Sequence, residues 1–252
     1  MNDNLKCDRF YSKNKNEFVT IDECNSKPEY IISNCSNDIF CPECRVAELY
    51  FVSNMNTSHL RTKRNALHNP NCYCNYKATS NEVVQDFINS LTNKRIQNKL
   101  GSMMRYLFYQ NNNLAPLQES LDCTNSLLVE SHKQQDSRRT MQVIRRKSLN
   151  SSFFLDDMDN ICAFYDKAML NLLVGDKGNG TYAYLKIYIN DKMKFQINVS
   201  KNIPNDIDNG KMYNIVIIGN INKPSQGEVF SSPFTIKLLK SNCLKYKKHK
   251  EC

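Results

Sequence analysis

Tryptophan is absent and glycine is scarce, seven in 252 residues. Neither G-x-G-x-x-G nor G-x-x-x-x-G-K-[ST] occurs, so nothing supports the Cβ-free backbone cradle of a Rossmann or P-loop nucleotide site. No run approaches 18 apolar residues, which excludes a membrane-spanning helix. The opening Met1-Asn2-Asp3-Asn4-Leu5-Lys6 lacks an apolar core of the secretory type, so a cytoplasmic chain with reduced thiols is expected. The H-E-x-x-H, G-x-S-x-G and H-x-E…P-C-x-x-C patterns are also missing. His132 falls in a polar stretch and His249 near the chain end, both poor places for a general base, so no catalytic residue is expected.

Cysteine and positive charge are abundant. The chain has eleven cysteines, and 34 Lys+Arg against 25 Asp+Glu, a net charge of +9. They gather at opposite ends. Cys7, Cys24, Cys35, Cys41, Cys44, Cys72 and Cys74 precede residue 75, whereas residues 161–252 hold fourteen lysines against seven acids. In a reducing compartment, clustered cysteines read as metal ligands before disulfides. Phe40-Cys41-Pro42-Glu43-Cys44 is a C-x-x-C turn that brings two thiolates to one ion. A strand over 47–52, a polar turn over 53–58 and a returning strand over 59–63 follow, then His68-Asn69-Pro70-Asn71-Cys72-Tyr73-Cys74. The set Cys41, Cys44, His68 and Cys72 fits a tetrahedral zinc ribbon, with Cys74 as the substitute for Cys72. Four protein ligands leave no open position, so the Zn²⁺ would be structural. Cys7, Cys24 and Cys35, with 16 and 10 residues between them, match no ligand spacing. His59 reads as a strand residue, because Arg61 and Lys63 share its face.

Phe18-Val19-Thr20-Ile21-Asp22, read as a strand, then Cys41-Pro42-Glu43-Cys44, a hairpin and a histidine resemble the N-terminal zinc-finger region of competence CoiA-like proteins. The resemblance covers roughly residues 8–75 and departs where His68, Cys72 and Cys74 replace a histidine pair. It implies a metal-binding module on Cys41, Cys44 and His68 of the kind seen in DNA-processing proteins. The nuclease domain of that family is not recognisable here, so catalysis does not carry over.

Two helices are expected next. Thr79-Ser80-Asn81-Glu82 reads as a capping box with Thr79 as N-cap. Val83, Val84, Phe87, Ile88 and Leu91, then Ile96, Leu100, Met103, Met104, Leu107 and Phe108, keep helical spacing. The pair is expected to pack on the zinc module. Lys94, Arg95, Lys99 and Arg105 form a basic side that reads either as phosphate-contacting or as a solvated face. Residues 131–142 are polar and aperiodic, as a linker would be.

The last third reads as strands over 161–174, 182–189, 193–199, 213–221 and 234–238, with one helical turn over 203–208. That is the element order of an OB-fold; an SH3-like barrel or small sandwich is the competing assignment. Ala183, Leu185, Ile187 and Ile189 alternate with Tyr182, Tyr184, Lys186 and Tyr188, and the second set faces outward. Lys194 shares the next strand's outer side, and Lys237 lies on the last strand. OB-folds bind oligonucleotides on this face, where tyrosine stacking is worth about 1–3 kcal/mol per base. The glycine-bearing loop 175–180 and the loop 222–233 would flank the groove.

The chain is therefore expected to be α+β: a zinc-ribbon-like module over 1–78, a helical hairpin over 79–110, a linker over 111–147, a five-stranded OB-like β-barrel over 148–242 and a basic tail over 243–252. Single-stranded DNA or RNA is the expected partner, a protein partner the alternative, and no membrane partner is expected. A third reading, a divergent nuclease, rests on Asp156, Asp157 and Asp159, a D-D-x-D cluster with nothing nearby to complete a Mg²⁺ site.

Overall fold

In the computed structural model of the chain, the described residues are 7–26, 38–52, 58–70, 72–109, 128–131, 140–154, 157–178, 180–222 and 233–249. They divide into two compact units, Met1–Ala78 with Glu130–Val143, and Thr79–Val129 with Ile144–Cys252.

The first unit begins with an antiparallel hairpin, β1 (Arg9–Ser12) and β2 (Glu17–Thr20). The buried Asp38 carboxylate organises its turn, accepting the Lys13 N–H at 2.9 Å, the Asn14 N–H at 3.1 Å and the Ser12 hydroxyl. The reading of 18–22 as one strand needs correction. Thr20 instead caps α1 (Ile21–Ser26): its hydroxyl accepts the Glu23 N–H at 3.2 Å, and Glu23 accepts the Thr20 N–H at 2.7 Å. That reciprocal capping box stops the strand. A second hairpin, β3 (Leu49–Val52) and β4 (His59–Thr62), lies where the alternation placed it. Phe10, Val19, Ile39, Leu49, Cys41 and Cys72 share one small core.

The expected linker is also corrected. Strands β6 (Leu128–Ser131) and β7 (Thr140–Val143) form a three-stranded sheet with β5 (Lys77–Ala78), in the order β5-β7-β6. Backbone pairing builds this sheet, which explains why side-chain polarity did not announce it.

The second unit opens with α2 (Asn81–Ser90) and α3 (Asn93–Tyr109). The N-cap of α2 is Ser80 and not Thr79: the Ser80 side chain accepts the Val83 N–H. Thr79 is buried, and its hydroxyl has no hydrogen-bond partner among the described residues. Asn81 fixes the helix start, donating to the Asp159 carbonyl at 2.8 Å and accepting the Ile161 N–H at 2.9 Å. The other end of α2 is capped by Lys240, whose ammonium donates to the carbonyls of Ile88, Asn89 and Leu91 at 2.9, 3.1 and 3.4 Å. A cation there satisfies orphan carbonyls and opposes the helix dipole. Lys240→Met is expected to destabilise this unit by about 1–2 kcal/mol, read as a lower midpoint in denaturant unfolding.

Five strands close a barrel: β9 (Cys162–Lys177), β10 (Gly180–Ile189), β11 (Lys192–Asn198), β12 (Lys211–Ile221) and β13 (Phe234–Leu238). Their order is β9-β10-β11-β13-β12, and β12 pairs back to β9. The β11–β13 pairing is parallel and the other four are antiparallel. Two outer strands extend the sheet: β8 (Arg145–Ser148) along β9, and β14 (Leu244–Lys248) along β12. The basic run Arg145-Arg146-Lys147 and half of the expected tail are therefore strand. The expected helical turn over 203–208 is absent; the segment is irregular, with a bend at Asn205 and Asp206. Its end is fixed by the buried Tyr213 hydroxyl, which accepts the Asp208 N–H at 2.8 Å, and by Lys248, 2.6 Å from Asp208.

The helical pair shares its core with this barrel. Val84, Ile88, Leu100 and Met103 pack with Ala163 and Tyr165 of β9, Val216 and Ile218 of β12, and Cys243. These strand residues alternate with Cys162, Phe164, Ile215 and Ile217, which face the barrel interior. Covered on both sides, β12 is buried continuously from Tyr213 to Gly219. β10 instead alternates buried and half-buried residues, because its outer side meets solvent.

Candidate metal centre and barrel face

Cys41-Pro42-Glu43-Cys44 folds as a tight turn. The Arg45 N–H donates to the Cys41 carbonyl at 2.9 Å, and the Cys41 N–H to the Ala47 carbonyl at 2.8 Å. Arg45 takes φ 53°, the left-handed conformation that lets the chain leave the turn. Its guanidinium lies 4.5 Å over the Tyr11 ring, an attraction that offsets part of the backbone cost. On the opposite side, the Cys72 N–H bonds the Asn69 carbonyl at 2.8 Å, and Asn75 donates to the same carbonyl at 2.7 Å. This loop brings His68 and Cys72 to the knuckle.

The ligand atoms of Cys41, Cys44, His68 and Cys72 all lie within 4.8 Å of one another. A tetrahedral zinc with Zn–S near 2.3 Å and Zn–N near 2.05 Å requires S–S edges of about 3.8 Å and S–N edges of about 3.6 Å. The Cys41–Cys72 sulfurs are 3.7 Å apart, and His68 Nδ1 lies 3.6 Å from Cys44 and 3.4 Å from Cys72. The three edges match a tetrahedral site, and the four residues could hold a metal ion. Thr62, which no ligand motif singles out, completes the arrangement. His68 Nε2 is 3.1 Å from its hydroxyl, so a proton donated there leaves the Nδ1 lone pair facing the sulfurs. Cys74 is outside the four; its sulfur lies 3.7 Å from Cys41 and 3.5 Å from Cys7. Cys24 is buried in the small core, His59 is a β4 residue, and Cys35 lies outside the described residues.

Without metal, the cluster keeps protons. Hydrogen bonds to Cys41 and then Cys44 raise His68 to about 10, and the same two sulfurs push Cys72 above the ordinary thiol range. Hydrogen bonds from Cys44, Cys72 and Cys74 draw Cys41 far below that range. The raised His68 favours the metal-free fold fully below its unfolded value near 6.5, and this contribution is lost as pH rises towards 10. A metal must displace these protons, so zinc affinity is expected to rise between pH 6 and 8. Calorimetric titration in two buffers of different ionisation enthalpy should show proton release at pH 7; buffer-independent heats would contradict it.

On the barrel, Tyr182, Tyr184, Lys186 and Tyr188 are half-buried on one side of β10, with Ala183, Leu185 and Ile187 buried on the other. Tyr182 and Tyr184 rings are 6.1 Å apart, inclined by 56°. Tyr184 stands across from Leu173 on β9 and Asn198 on β11, and Lys186 from Asn171 and Gln196. Gln196 pairs with Thr235, so exposed Lys237, two residues on, belongs to the same side. Lys194 departs from expectation: it donates to the Ser151 carbonyl at 2.7 Å and stands over the Phe153 ring, and is structural. Gly175, expected in the loop, is part of β9 and paired with Tyr182; a Cβ there would strike the Tyr182 ring. A glycine inside an apolar strand run is the mark of such close approach. The hairpin therefore runs on through Lys177 and Gly180, leaving only a short turn of the expected loop, and most of loop 222–233 lies outside the described residues. Asp157 of the acidic cluster is held by Lys147 at 2.7 Å and by the Phe154 N–H at 2.8 Å; Asp156 lies outside the described residues. Among the described residues, no helix is long and apolar enough to cross a membrane.

No protein-family model, curated protein or solved structure matches the chain.

Proposed function

We propose that the chain is a zinc-stabilised nucleic-acid-binding protein whose OB-like barrel takes single-stranded DNA or RNA across the outer face of β10 and β11. The observation that carries this reading is where the helices go. They share a core with β9 and β12, and the half-buried row Tyr182, Tyr184, Lys186 and Tyr188 lies on β10, which contributes no described residue to that core. Three aromatic rings beside a lysine supply stacking surfaces and a phosphate contact along one line, and Lys237 adds a second cation on the same side. The five-stranded Greek-key closure supports the OB assignment. The four-residue metal group supports a structural zinc ribbon, similar in its Cys41, Cys44 and His68 to the module of CoiA-like proteins.

Leu173, 44% exposed beside Tyr184, favours a second reading in which the same face grips a protein. Salt separates the two. Fluorescence anisotropy of a labelled oligothymidylate and its RNA counterpart, repeated across ionic strength, should give a negative log–log slope. Lys186→Gln and Lys237→Gln should each flatten that slope by about 0.7, the value for one phosphate contact on a single strand. Absent or salt-independent binding would reject the nucleic-acid reading and leave the protein-binding one.

A further inference from the structure

The sulfurs of Cys7 and Cys74 lie 3.5 Å apart, bringing together residues 67 apart in the chain. Neither belongs to the four-ligand group. Both are half-buried free thiols, whereas Cys24, Cys162 and Cys243 are shut inside cores. Three more cysteines of the described residues, Cys41, Cys44 and Cys72, have their sulfurs directed at the metal position. Cys7 and Cys74 are thus the described pair that combines contact with access and has no metal to share. An S–S bond of about 2.05 Å needs the two atoms to close by about 1.5 Å, within reach of side-chain rotation.

We propose that Cys7 and Cys74 are an oxidisable pair that closes to a disulfide with peroxide while the neighbouring ligand group keeps its zinc. One thiolate attacks a peroxide oxygen, the O–O bond breaks, and a sulfenic acid forms as the first water leaves. The second thiolate attacks the sulfenic sulfur, the S–O bond breaks and the second water leaves. Two thiols and one hydrogen peroxide give one disulfide and two waters; the sulfurs lose two electrons and the peroxide gains them. The bond closes a chain loop that contains Cys41, Cys44, His68 and Cys72, so oxidation fastens the start of the chain across the metal module. It also removes the Cys74 thiol that touches Cys41 at 3.7 Å, the contact through which oxidation would otherwise reach a ligand.

The test is peroxide treatment of the full chain, with disulfides mapped by mass spectrometry of non-reduced peptides and zinc counted before and after. The expected result is a Cys7–Cys74 link with zinc content unchanged. Cys7→Ser, which touches no ligand, should lose the link, and in that variant peroxide should release zinc. Cys7 and Cys74 remaining reduced, either one bonded to a different thiol, or zinc released from the unaltered protein at the same dose would overturn the proposal. Zinc counted before oxidant distinguishes failure of the metal site from failure of the pair, since the mapping judges the pair in either case.

Discussion

On the proposed zinc reading, stripping the metal, or replacing Cys41 with serine, is expected to unfold the metal module and to spare the barrel. A structural zinc of this type contributes on the order of 10–16 kcal/mol of apparent folding free energy at neutral pH. The module has little else of comparable size. Its core is small, and two of the buried residues in it, Cys41 and Cys72, belong to the candidate metal group. Metal loss therefore leaves cysteine sulfurs and a protonated histidine ring facing one another in place of apolar contacts. The barrel draws on its own interior, where Phe164, Leu185, Phe195 and Ile215 are fully or almost fully buried. Hydrogen exchange after chelation should show lost protection over 38–52 and 72–78 and retained protection over 162–198 and 211–221. Protein purified without chelator should carry one zinc per chain. Zinc-free protein with a protected 38–52 segment would sink the metal reading.

How much of this was legible depends on which force shapes each segment. Side-chain periodicity fixes β10 and β11, where one face is buried and the other wet, so strict alternation located both. Ligand spacing is equally local: the C-x-x-C turn and the H-x₃-C pair name the four residues that the fold gathers into one group able to hold a metal ion. Backbone pairing, in contrast, leaves no such trace. Gln142 and Val143 sit in a stretch that looks like linker, yet β7 pairs with Lys77 and Ala78 from more than sixty residues away. The residues Leu244 to Lys248 read as a basic tail, and only pairing to β12 turns them into a strand. The helices' packing partner has a signature of its own. Ile215-Val216-Ile217-Ile218 is apolar without alternation, the mark of a strand covered on both sides, and the helices are what covers it. Cap frames fail for a different reason: Thr79 and Ser80 offer the same hydroxyl chemistry one residue apart. The neighbouring Asn81, bonded to Asp159 and Ile161, shows which frame the tertiary structure holds.

Replacing Tyr182 and Tyr184 together by alanine is expected to weaken single-strand binding by about 2–6 kcal/mol, at 1–3 kcal/mol for each stacked base, which is a loss of at least roughly thirtyfold. Stability should change far less, since both rings are half-exposed and their β10 neighbours Ala183 and Leu185 keep the interior intact. Alanine truncation alone leaves one ambiguity, because it removes apolar area that a protein partner would also use. Gly175→Ala resolves it. The new methyl would occupy the space of the Tyr182 ring, so the ring must move while its chemistry and most of its area remain. Stacking depends on ring position, and a nucleic acid seated on Tyr182 should lose nearly as much affinity from Gly175→Ala as from Tyr182→Ala. A protein partner held by apolar area near Leu173 should tolerate the shift. Equal oligonucleotide affinity for Gly175→Ala and the unaltered chain, measured at one fixed salt concentration, would remove Tyr182 from the binding face and with it the main argument for stacking.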